Sequence, residues 1–147
     1  MPAYETDLAI IEIGGDSQSV MKIGTDICSV DRIARAYDRF GERFLRRILT
    51  DRETKYVLSQ PLHTVRRIAG RFAAKEAASK TLGTGWYGVG WKEIEIVRFG
   101  SGEPTIQLHG RAIEIAKRRG LAKWEVSMSH ENAFATATVL AYGSDGV

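Results

Sequence analysis

Two carboxylates, Asp26 and Glu76, have the surroundings expected of a metal site. Asp26 stands in the stretch IGTDI, where an apolar strand opens into a loop and Gly24 allows another backbone to approach closely. Glu76 stands in GRFAAKEAASKTLGTG, residues 70–85, which predicts a helix ended by glycine. One carboxylate on a strand and one on a helix are too few ligands to surround a metal ion by themselves. They suit Mg²⁺, which keeps several waters and takes further oxygens from substrate phosphates.

Glu76 is aligned with the apolar stripe of this helix rather than with its polar face. Steps of four, three and four residues separate the members of the stripe, which are Val65, Ala69, Phe72 and Glu76. A carboxylate in that position loses hydration and needs a compensating cation. Two compensating cations remain open at this point: Lys80, in an i,i+4 ion pair, or a bound metal ion.

Cationic side chains near Glu76 offer the chemistry that a phosphate ligand needs. Arg71, Lys75 and Lys80 all lie within about one and a half turns of it on the same helix. His130 ends the alternating stretch VSMSH, a place where a side chain can project over a sheet edge. Taken alone, this histidine is predicted to be structural. His109 is likewise predicted to be structural, and His63 to lie at the surface.

The glycine-rich stretch GTGWYG, residues 83–88, formally matches the dinucleotide-binding pattern G-x-G-x-x-G. That fingerprint requires a strand before it and a helix after it. Here a helix precedes and a strand follows, so we reject a Rossmann site. The glycines instead predict a mobile loop whose backbone amides can approach a ligand.

Basic residues are concentrated in residues 30–71. This segment holds eleven Lys and Arg residues against five acids, a local charge of +6, whereas the whole chain carries +3. Two explanations stay open from charge alone. The residues form a solvated helix face stabilised by i,i+4 pairs, or they form a surface for an acidic partner or a phosphate ligand.

The helices are predicted from caps and periodicity. The stretch VDRIARAYDRF predicts a helix capped by Ser29 or Asp31. The stretch TDRE, Thr50 to Glu53, matches the capping box and predicts a helix that ends near Ser59. A longer helix follows from Pro61 to about Leu82, and RAIEIAKRRG predicts a short one.

The strands are predicted mainly in the second half of the chain. MKIGTDI begins one strand, WKEIEIVRF and TIQLH predict a hairpin, and WEVSMSH and FATATVLAY predict two final strands. The fold class is therefore α+β, with an antiparallel-rich sheet wrapped by one long helix and several shorter ones.

The chain length and composition predict one globular domain. There are 147 residues, 44% of them hydrophobic, and the single cysteine, Cys28, excludes an internal disulfide and a cysteine-based metal site. No apolar run is long enough to span a membrane, and the first residues lack the features of a signal peptide. We expect a cytoplasmic protein with no membrane partner. Residues 1–20 are interpreted as an N-terminal extension, set apart by the spacer GGDSQS, and residues 21–147 as the domain.

Six stretches resemble, in this order, the holo-acyl-carrier-protein synthase family, the small stand-alone bacterial 4′-phosphopantetheinyl transferases. They are IGTDICSVDRI, RFLRRILTDRE, GRFAAKEAASKTLGTG, WKEIEI, GEPTIQLHG and VSMSHENAFATATV. The resemblance covers about residues 21–142, and its most specific part is the G-x-D strand combined with the F-A-A-K-E-A helix at this separation. MKIGTDI itself resembles a family start, so Met21 is an alternative start or the preceding residues are an addition.

The resemblance implies a fold, a reaction and a set of site residues. The expected protein is a homotrimer with active sites between subunits. The expected reaction moves 4′-phosphopantetheine from coenzyme A to a serine of apo-acyl carrier protein and releases adenosine 3′,5′-bisphosphate. By the same resemblance Asp26 and Glu76 are the Mg²⁺ ligands and, with Lys80, the catalytic residues. The coenzyme A-contacting residues it implies are Arg71, Lys80, Gly83, Gly85 and His130.

The first predicted helix carries the expected docking face for the carrier protein. Arg32, Arg35 and Arg39 fall at i, i+3 and i+7, on one side of that helix. Arg32 matches the family position that meets acidic carrier residues. Because carrier proteins are acidic, we expect this face to steer and dock them.

A nucleic-acid-binding module is the competing hypothesis, since an arginine-rich helix can also follow a phosphate backbone. The overall charge is small and no nucleic-acid-binding motif is recognised, so we expect no nucleic acid partner. The two hypotheses differ in a measurable property. A phosphate-tracking protein binds nucleic acid with a steep salt dependence, whereas the transferase adds one phosphopantetheine to its carrier.

Overall fold

Helices and antiparallel strands make up the two ranges that the structure, a computed structural model, describes: residues 20–100 and 102–143. The elements are β1 (Met21–Ser29), α1 (Val30–Phe40), α2 (Glu42–Ile48), α3 (Asp51–Leu58), α4 (Thr64–Leu82), β2 (Ile94–Arg98), β3 (Pro104–Leu108), α5 (Gly110–Arg118), β4 (Lys123–His130) and β5 (Phe134–Tyr142). Short 3₁₀ turns cover Pro61–His63 and Trp91–Glu93. The predicted extension of residues 1–20 lies outside the described residues, apart from Val20.

The strands form two antiparallel sheets rather than one. In the first sheet β5 lies between β1 and β4, with Met21 opposite Tyr142 and Ser29 opposite Phe134. The second sheet is the predicted hairpin, in which β2 pairs with β3. The α+β class and the antiparallel pairing are confirmed.

The caps that the sequence indicates set the helix ends. Of the two candidates, Ser29 caps α1, and its side chain accepts a hydrogen bond from the Arg32 backbone N–H at 3.3 Å. Both halves of the capping box at Thr50 and Glu53 are formed at the start of α3. Helix α4 ends at Gly83, which has a left-handed φ of 80°. Because such a φ is accessible to glycine at little cost, this residue stops the helix.

Helix α4 packs across β1 and β5 at short range, and small residues make that approach possible. A side chain at Gly24 would collide with the Ala77 carbonyl oxygen and with Thr81. The facing positions on the two elements are buried alanines, namely Ala69, Ala73, Ala77, Ala135, Ala137 and Ala141. The consequence is that side chains at the edge of this contact, on β1 and on α4, lie close to each other.

In the described part of the chain, no helix combines the length and apolar character needed to cross a bilayer.

Candidate active site

The strand β1 directs Asp26 toward α4. Alternate residues of a strand face opposite sides, and Gly24 and Cys28, two positions away on either side, are both buried against the core. Asp26 lies opposite Ala137 of β5, and its side chain keeps only 16% of its surface exposed. A partly buried carboxylate therefore stands at the edge of the α4 contact.

Glu76 reaches the same place from α4. It is half-buried and, together with Asp26, lines a cavity of about 450 Å³ between β1, α1 and α4. Arg32 of α1 lies on the wall of this cavity, and Phe72 and Phe44 supply apolar surface. The structure thus brings together the two acids that the sequence separates by an entire helical region.

The electrostatic environment of Glu76 favours its protonated form. Burial raises the pKa of this carboxyl, and the negative charge of Asp26 raises it further. Lys80 and the nearby Trp86 indole act in the opposite direction, although the Trp86 N–H makes no hydrogen bond of normal geometry. A cation placed between the two acids would relieve this cost.

Lys80 pairs with the strand acid and not with the helix acid. Its Nζ donates to Asp26 Oδ1 and to the Thr25 carbonyl oxygen, each at 3.1 Å. The sequence left two cations open as partners for the Glu76 charge, Lys80 or a metal ion. The predicted i,i+4 ion pair of Glu76 with Lys80 is wrong, because Lys80 pairs with Asp26 instead. The Lys80 charge nevertheless also acts on Glu76, since it opposes the rise in the pKa of that carboxyl.

The donor set of this cavity fits Mg²⁺ by its chemistry. Within residues 20–100 and 102–143, no group of three or more His, Cys, Asp or Glu side chains is placed to bind a metal ion. The site therefore offers two carboxylates rather than a full cage. Two carboxylates are the usual protein contribution to an Mg²⁺ ion that also binds waters and phosphate oxygens.

A second cavity, of about 420 Å³, is lined by cationic side chains. Its charged and titratable lining comprises Tyr56, His63, Arg66, Arg67, Arg71, Arg98 and His130. Among the residues that the structure describes, no carboxylate lines this cavity, so its field is strongly positive. The predicted coenzyme A ligands Arg71 and His130 are thus brought together, and the field suits an anion such as a phosphate.

Arg71 is held in this second cavity by a tyrosine and not by a carboxylate. It is only 2% exposed, and its guanidinium carbon lies 4.0 Å from the centroid of the Tyr56 ring. Burial lowers the pKa of Arg71 to about 10, at which it is still protonated at neutral pH. Its Nε finds no hydrogen-bond partner among the described residues. A buried donor without a partner, in a positive cavity, is what an anionic ligand would satisfy.

Comparison with known proteins assigns the chain to a family. A sequence profile described as the 4′-phosphopantetheinyl transferase superfamily matches residues 22–139. The chain belongs to this superfamily. The resemblance to its holo-acyl-carrier-protein synthases is confirmed by curated relatives. The holo-[acyl-carrier-protein] synthase of Gloeobacter violaceus is 49% identical over 122 residues, which cover 83% of this chain and 92% of that protein. The Koribacter versatilis synthase is 43% identical over 82% of this chain and 97% of its own length.

Solved structures of the same transferases share the fold. The synthase from Neisseria meningitidis superposes with a TM-score of 0.75 at 37% identity, covering 81% of this chain and 95% of that chain. The Helicobacter pylori synthase in complex with coenzyme A has a TM-score of 0.71 at 32% identity, over 81% and 98% of the two chains. This family membership favours the enzyme hypothesis over a nucleic-acid-binding module.

The remaining predicted residues of this transferase lie in the loop after α4 and on α1. Gly83 and Gly85 both have a left-handed φ, of 80° and 54°, in the loop after α4. As predicted, a helix precedes this loop and a strand follows it, which excludes the Rossmann arrangement. Arg32, Arg35 and Arg39 are exposed on α1, and of these Arg32 borders the Asp26–Glu76 cavity.

Lys75 does not belong to the phosphate-binding set of the transferase that its sequence position suggests. Its side chain is fully buried, and Nζ lies 2.7 Å from Glu53 Oε1. This ion pair was not predicted, because no local sequence pattern links the two residues. The capping box is only a partial signal, since it places Glu53 at the N-terminus of a helix without indicating a partner. The capping box leaves that carboxylate able to accept further hydrogen bonds.

Proposed function

We propose that this chain transfers 4′-phosphopantetheine from coenzyme A to a serine of apo-acyl carrier protein. The observation that carries the proposal is the convergence of Asp26 and Glu76 on one cavity, bordered by Arg32 of the exposed basic helix. Two acids suited to Mg²⁺ thereby stand next to a surface suited to an acidic protein. The support from relatives is that holo-[acyl-carrier-protein] synthases share most of this sequence and that one of them was solved with coenzyme A.

In the proposed reaction, the serine oxygen of the carrier attacks the β-phosphorus of coenzyme A. A new P–O bond forms and the bond from that phosphorus to the bridging oxygen breaks. The serine proton is released, and adenosine 3′,5′-bisphosphate leaves. Asp26 and Glu76 would hold Mg²⁺, which when bound neutralises charge on the pyrophosphate. Lys80, already beside Asp26, supplies a fixed positive charge to the same phosphates.

The helix α1 serves the acceptor. Its exposed arginines attract an acidic carrier, and Arg32 connects this face to the reacting centre because it also borders the cavity of the two acids. A carrier docked on α1 would therefore present its serine close to Asp26 and Glu76. Arg35 and Arg39 extend the docking face away from the chemistry.

The donor is held by the second cavity and the glycine loop. Arg71 and His130 line the positive cavity, which suits the phosphates of coenzyme A. Gly83 and Gly85 add no side chains of their own to the loop after α4, and at Gly85 the space that a side chain would occupy is open to a ligand. Both groups of residues are those that the family resemblance implies for coenzyme A.

The two half-sites support an oligomer with active sites between subunits, and the family resemblance implies three copies. Glu76 and Arg71 lie on the same helix but line different cavities, so one chain presents its acids and its donor-binding cations in separate places. A neighbouring copy that brings its positive cavity to these acids would complete the site. Closed cyclic symmetry would give each copy one complete site.

The surface available for such a neighbour is the outer face of the three-stranded sheet. The alternating stretch FATATVLAY predicts a strand whose apolar face needs a partner surface. That surface is α4 and not a second subunit, because the residues of this face are buried against α4: Ala135, Ala137, Val139 and Ala141. The opposite face instead exposes Ile23, Ile27 and Phe134, at 42%, 64% and 49%. Exposed apolar residues clustered on one sheet face favour association.

The transferase unit is proposed to begin at Met21, with residues 1–20 unnecessary for chemistry. The family profile begins at residue 22, directly after this position. A chain that starts at Met21 should keep its activity. Val20 contacts the domain across this boundary, since its carbonyl accepts a hydrogen bond from Gly143 N at 3.0 Å and its side chain packs against the core. A start at Val20 is therefore the matched comparison.

The deciding experiment is a mass-shift assay. The full chain is incubated with apo-acyl carrier protein, coenzyme A and Mg²⁺, and the carrier is weighed by mass spectrometry. We expect the addition of one phosphopantetheine, which should disappear when the carrier serine is replaced by alanine or the enzyme carries Glu76→Gln. No mass shift, together with nucleic acid binding that weakens steeply with salt, would support the competing hypothesis instead.

Shared sites are tested by complementation. Arg32 and Glu76 line one cavity, so variants of these two residues damage the same half-site and are not expected to rescue each other. Glu76→Gln should instead be combined with His130→Ala, which alters the other cavity. Mixed oligomers should regain part of the activity that each variant lacks. Mixed oligomers no more active than the separate variants, or a fully active monomer, would contradict shared sites.

A further inference from the structure

A buried ion pair stands one residue before the predicted metal ligand on α4. The Lys75 ammonium group is 0% exposed and donates to Glu53 Oε1 at 2.7 Å, to the Trp91 carbonyl at 2.9 Å and to the Ile94 carbonyl at 2.6 Å. An ammonium group has three N–H donors, and each has an acceptor here. Its position is therefore fixed in three directions.

Both oxygens of the partner carboxylate also accept hydrogen bonds. Besides Lys75, Glu53 Oε1 accepts from the Thr50 backbone N–H at 3.0 Å, and Oε2 accepts from the Ile96 backbone N–H at 3.1 Å. The pair thereby joins the start of α3, the middle of α4 and the β2 strand. No other ion pair among the described residues is buried on both sides.

Stability alone is a weak reason for such a pair. Removing two charges from water is costly, and buried ion pairs can often be replaced by apolar side chains with little loss of stability. A pair with every donor and acceptor matched does define geometry, because any rotation or sliding of α4 would break several hydrogen bonds together.

The geometry it defines includes the direction of Glu76. Neighbouring residues on an α-helix point about 100° apart around its axis. When Lys75 is fixed toward α3 and β2, Glu76 is turned toward β1, where it meets the Asp26 cavity. A second connection supports the cavity wall. Trp91, whose carbonyl accepts from Lys75, packs its ring in a tilted arrangement against Phe72, a lining residue, with ring centroids 4.9 Å apart.

We propose that Lys75 and Glu53 are positioning residues that set the direction of Glu76 toward the metal. The inference rests on the proposed function, since it takes Asp26 and Glu76 as the ligands. Neither Lys75 nor Glu53 touches a substrate. They act through the rotation of α4 about its axis and through the packing of Trp91 on Phe72.

The test measures metal binding directly, with Mn²⁺ as the probe. Free Mn²⁺ is followed by electron paramagnetic resonance during titration of the full chain with coenzyme A present. The variants are Lys75→Met, Glu53→Gln, and the double variant, which removes both charges together. We expect the Mn²⁺ Kd to rise about tenfold or more in each, as for other residues that orient metal ligands. The double variant should melt at a higher temperature than either single variant yet bind Mn²⁺ no better.

A stability control separates positioning from general weakening of the fold. Val57→Ala removes buried apolar volume from α3, the helix that carries Glu53, without touching the ion pair. It should lower the melting temperature and leave Mn²⁺ affinity unchanged. Glu53→Asp provides a milder change that keeps the charge and shortens the side chain, for use if Lys75→Met does not fold. It should melt below the unchanged protein, because the shorter carboxylate cannot keep all three of its contacts, and it should bind Mn²⁺ more weakly than Val57→Ala does.

The outcomes distinguish the inference from the function on which it rests. Glu76→Gln should lose Mn²⁺ binding; if it does not, the metal assignment itself is wrong. If Glu76→Gln loses binding but the folded double variant and Glu53→Asp bind Mn²⁺ like the unchanged protein, the positioning role is overturned. Weakened binding in Val57→Ala to the same extent would overturn it too, because loss of stability would then explain the effect.

Discussion

The Lys80 ammonium group lies 3.1 Å from Asp26 Oδ1, so the cation predicted to meet coenzyme A is paired with an acid predicted to bind the metal. When Mg²⁺ and the donor phosphates enter, Lys80 can exchange Asp26 for a phosphate oxygen. We predict that Lys80→Gln lowers kcat by roughly 10²–10³-fold, as for other lost donors to a developing charge. Mn²⁺ affinity should not fall, because a competing positive charge has been removed. Lys117→Gln on α5 is the control, and weaker Mn²⁺ binding in Lys80→Gln would contradict this role.

Because the pKa of Glu76 is raised, we predict that Glu76→Gln has opposite effects on the melting temperature without and with bound metal. Burial, assisted by Asp26, raises this pKa above its ordinary value of 4.5, so the folded protein holds the proton more tightly than the unfolded chain. The contribution of Glu76 to stability is therefore present at low pH and is lost as the pH rises through the folded pKa. In EDTA at neutral pH, Glu76→Gln should have a higher melting temperature than the unchanged protein.

Two further melting curves check the sign of this effect. The difference between Glu76→Gln and the unchanged protein should vanish as the pH falls below 4.5, where the Glu76 carboxyl is protonated in the unfolded chain as well as in the folded protein. Adding Mg²⁺ with coenzyme A at neutral pH should reverse the order, because only the carboxylate gains from the ion. A glutamine variant that melts at the lower temperature at every pH in EDTA would show that ionised Glu76 is well accommodated without metal.

Arg32 is predicted to act on the carrier rather than on coenzyme A. Arg32→Glu should raise the carrier KM more than Arg32→Ala, with about 1 kcal/mol, or a factor of roughly five, expected for the loss of one exposed charge contact. The effect should shrink at high salt. Arg46→Glu makes the same charge change on α2, where Arg46 pairs with Glu42 at the surface, and should leave the carrier KM nearly unchanged. Equal carrier KM values in all three variants would remove Arg32 from the docking face.

Gly83 is predicted to be irreplaceable for both stability and donor binding. Its φ of 80° is strained for any other residue, and a side chain there would collide with the guanidinium group of Arg119, which donates to the Leu82 carbonyl. Gly83→Ala should lose about 1–2 kcal/mol from the left-handed conformation alone, and should raise the coenzyme A KM. Gly100→Ala is the control, since a side chain there meets no atom within 4 Å. A Gly83→Ala variant with an unchanged coenzyme A KM would exclude the loop from the donor site.

Local chemistry explains which parts of this fold could be predicted. Ser29, the Thr50 capping box and Gly83 act on their own helix ends, so their sequence signals suffice. The hairpin of β2 and β3 was likewise predictable from a short turn. Lys75 could not be placed, because its partner Glu53 lies 22 residues away and only tertiary packing makes them meet. The division into two sheets was missed for the same reason, since strand alternation reports a face but not a neighbour.

The candidate site shows the same division between local and tertiary information. The family pattern named Asp26 and Glu76, and the structure added that they share a cavity with Arg32. The separate cationic cavity could not be anticipated, because residues from α3, α4, β2 and β4 contribute to it. Tyr56 carried no motif, yet it positions the Arg71 guanidinium.

The pairing of β1 with β5 has a consequence for the order of events during synthesis. Asp26 lies on the first described strand, and in the described sheet that strand pairs only with β5, whose last residue, Tyr142, lies opposite Met21. Contacts between distant parts of a chain form late, because the intervening loop must first be closed. While β5 is still inside the ribosome exit tunnel, the part of the chain that has already emerged would carry Asp26 on a strand that has no partner strand. The half-site of two acids would therefore assemble only after β5 has left the tunnel and paired with β1.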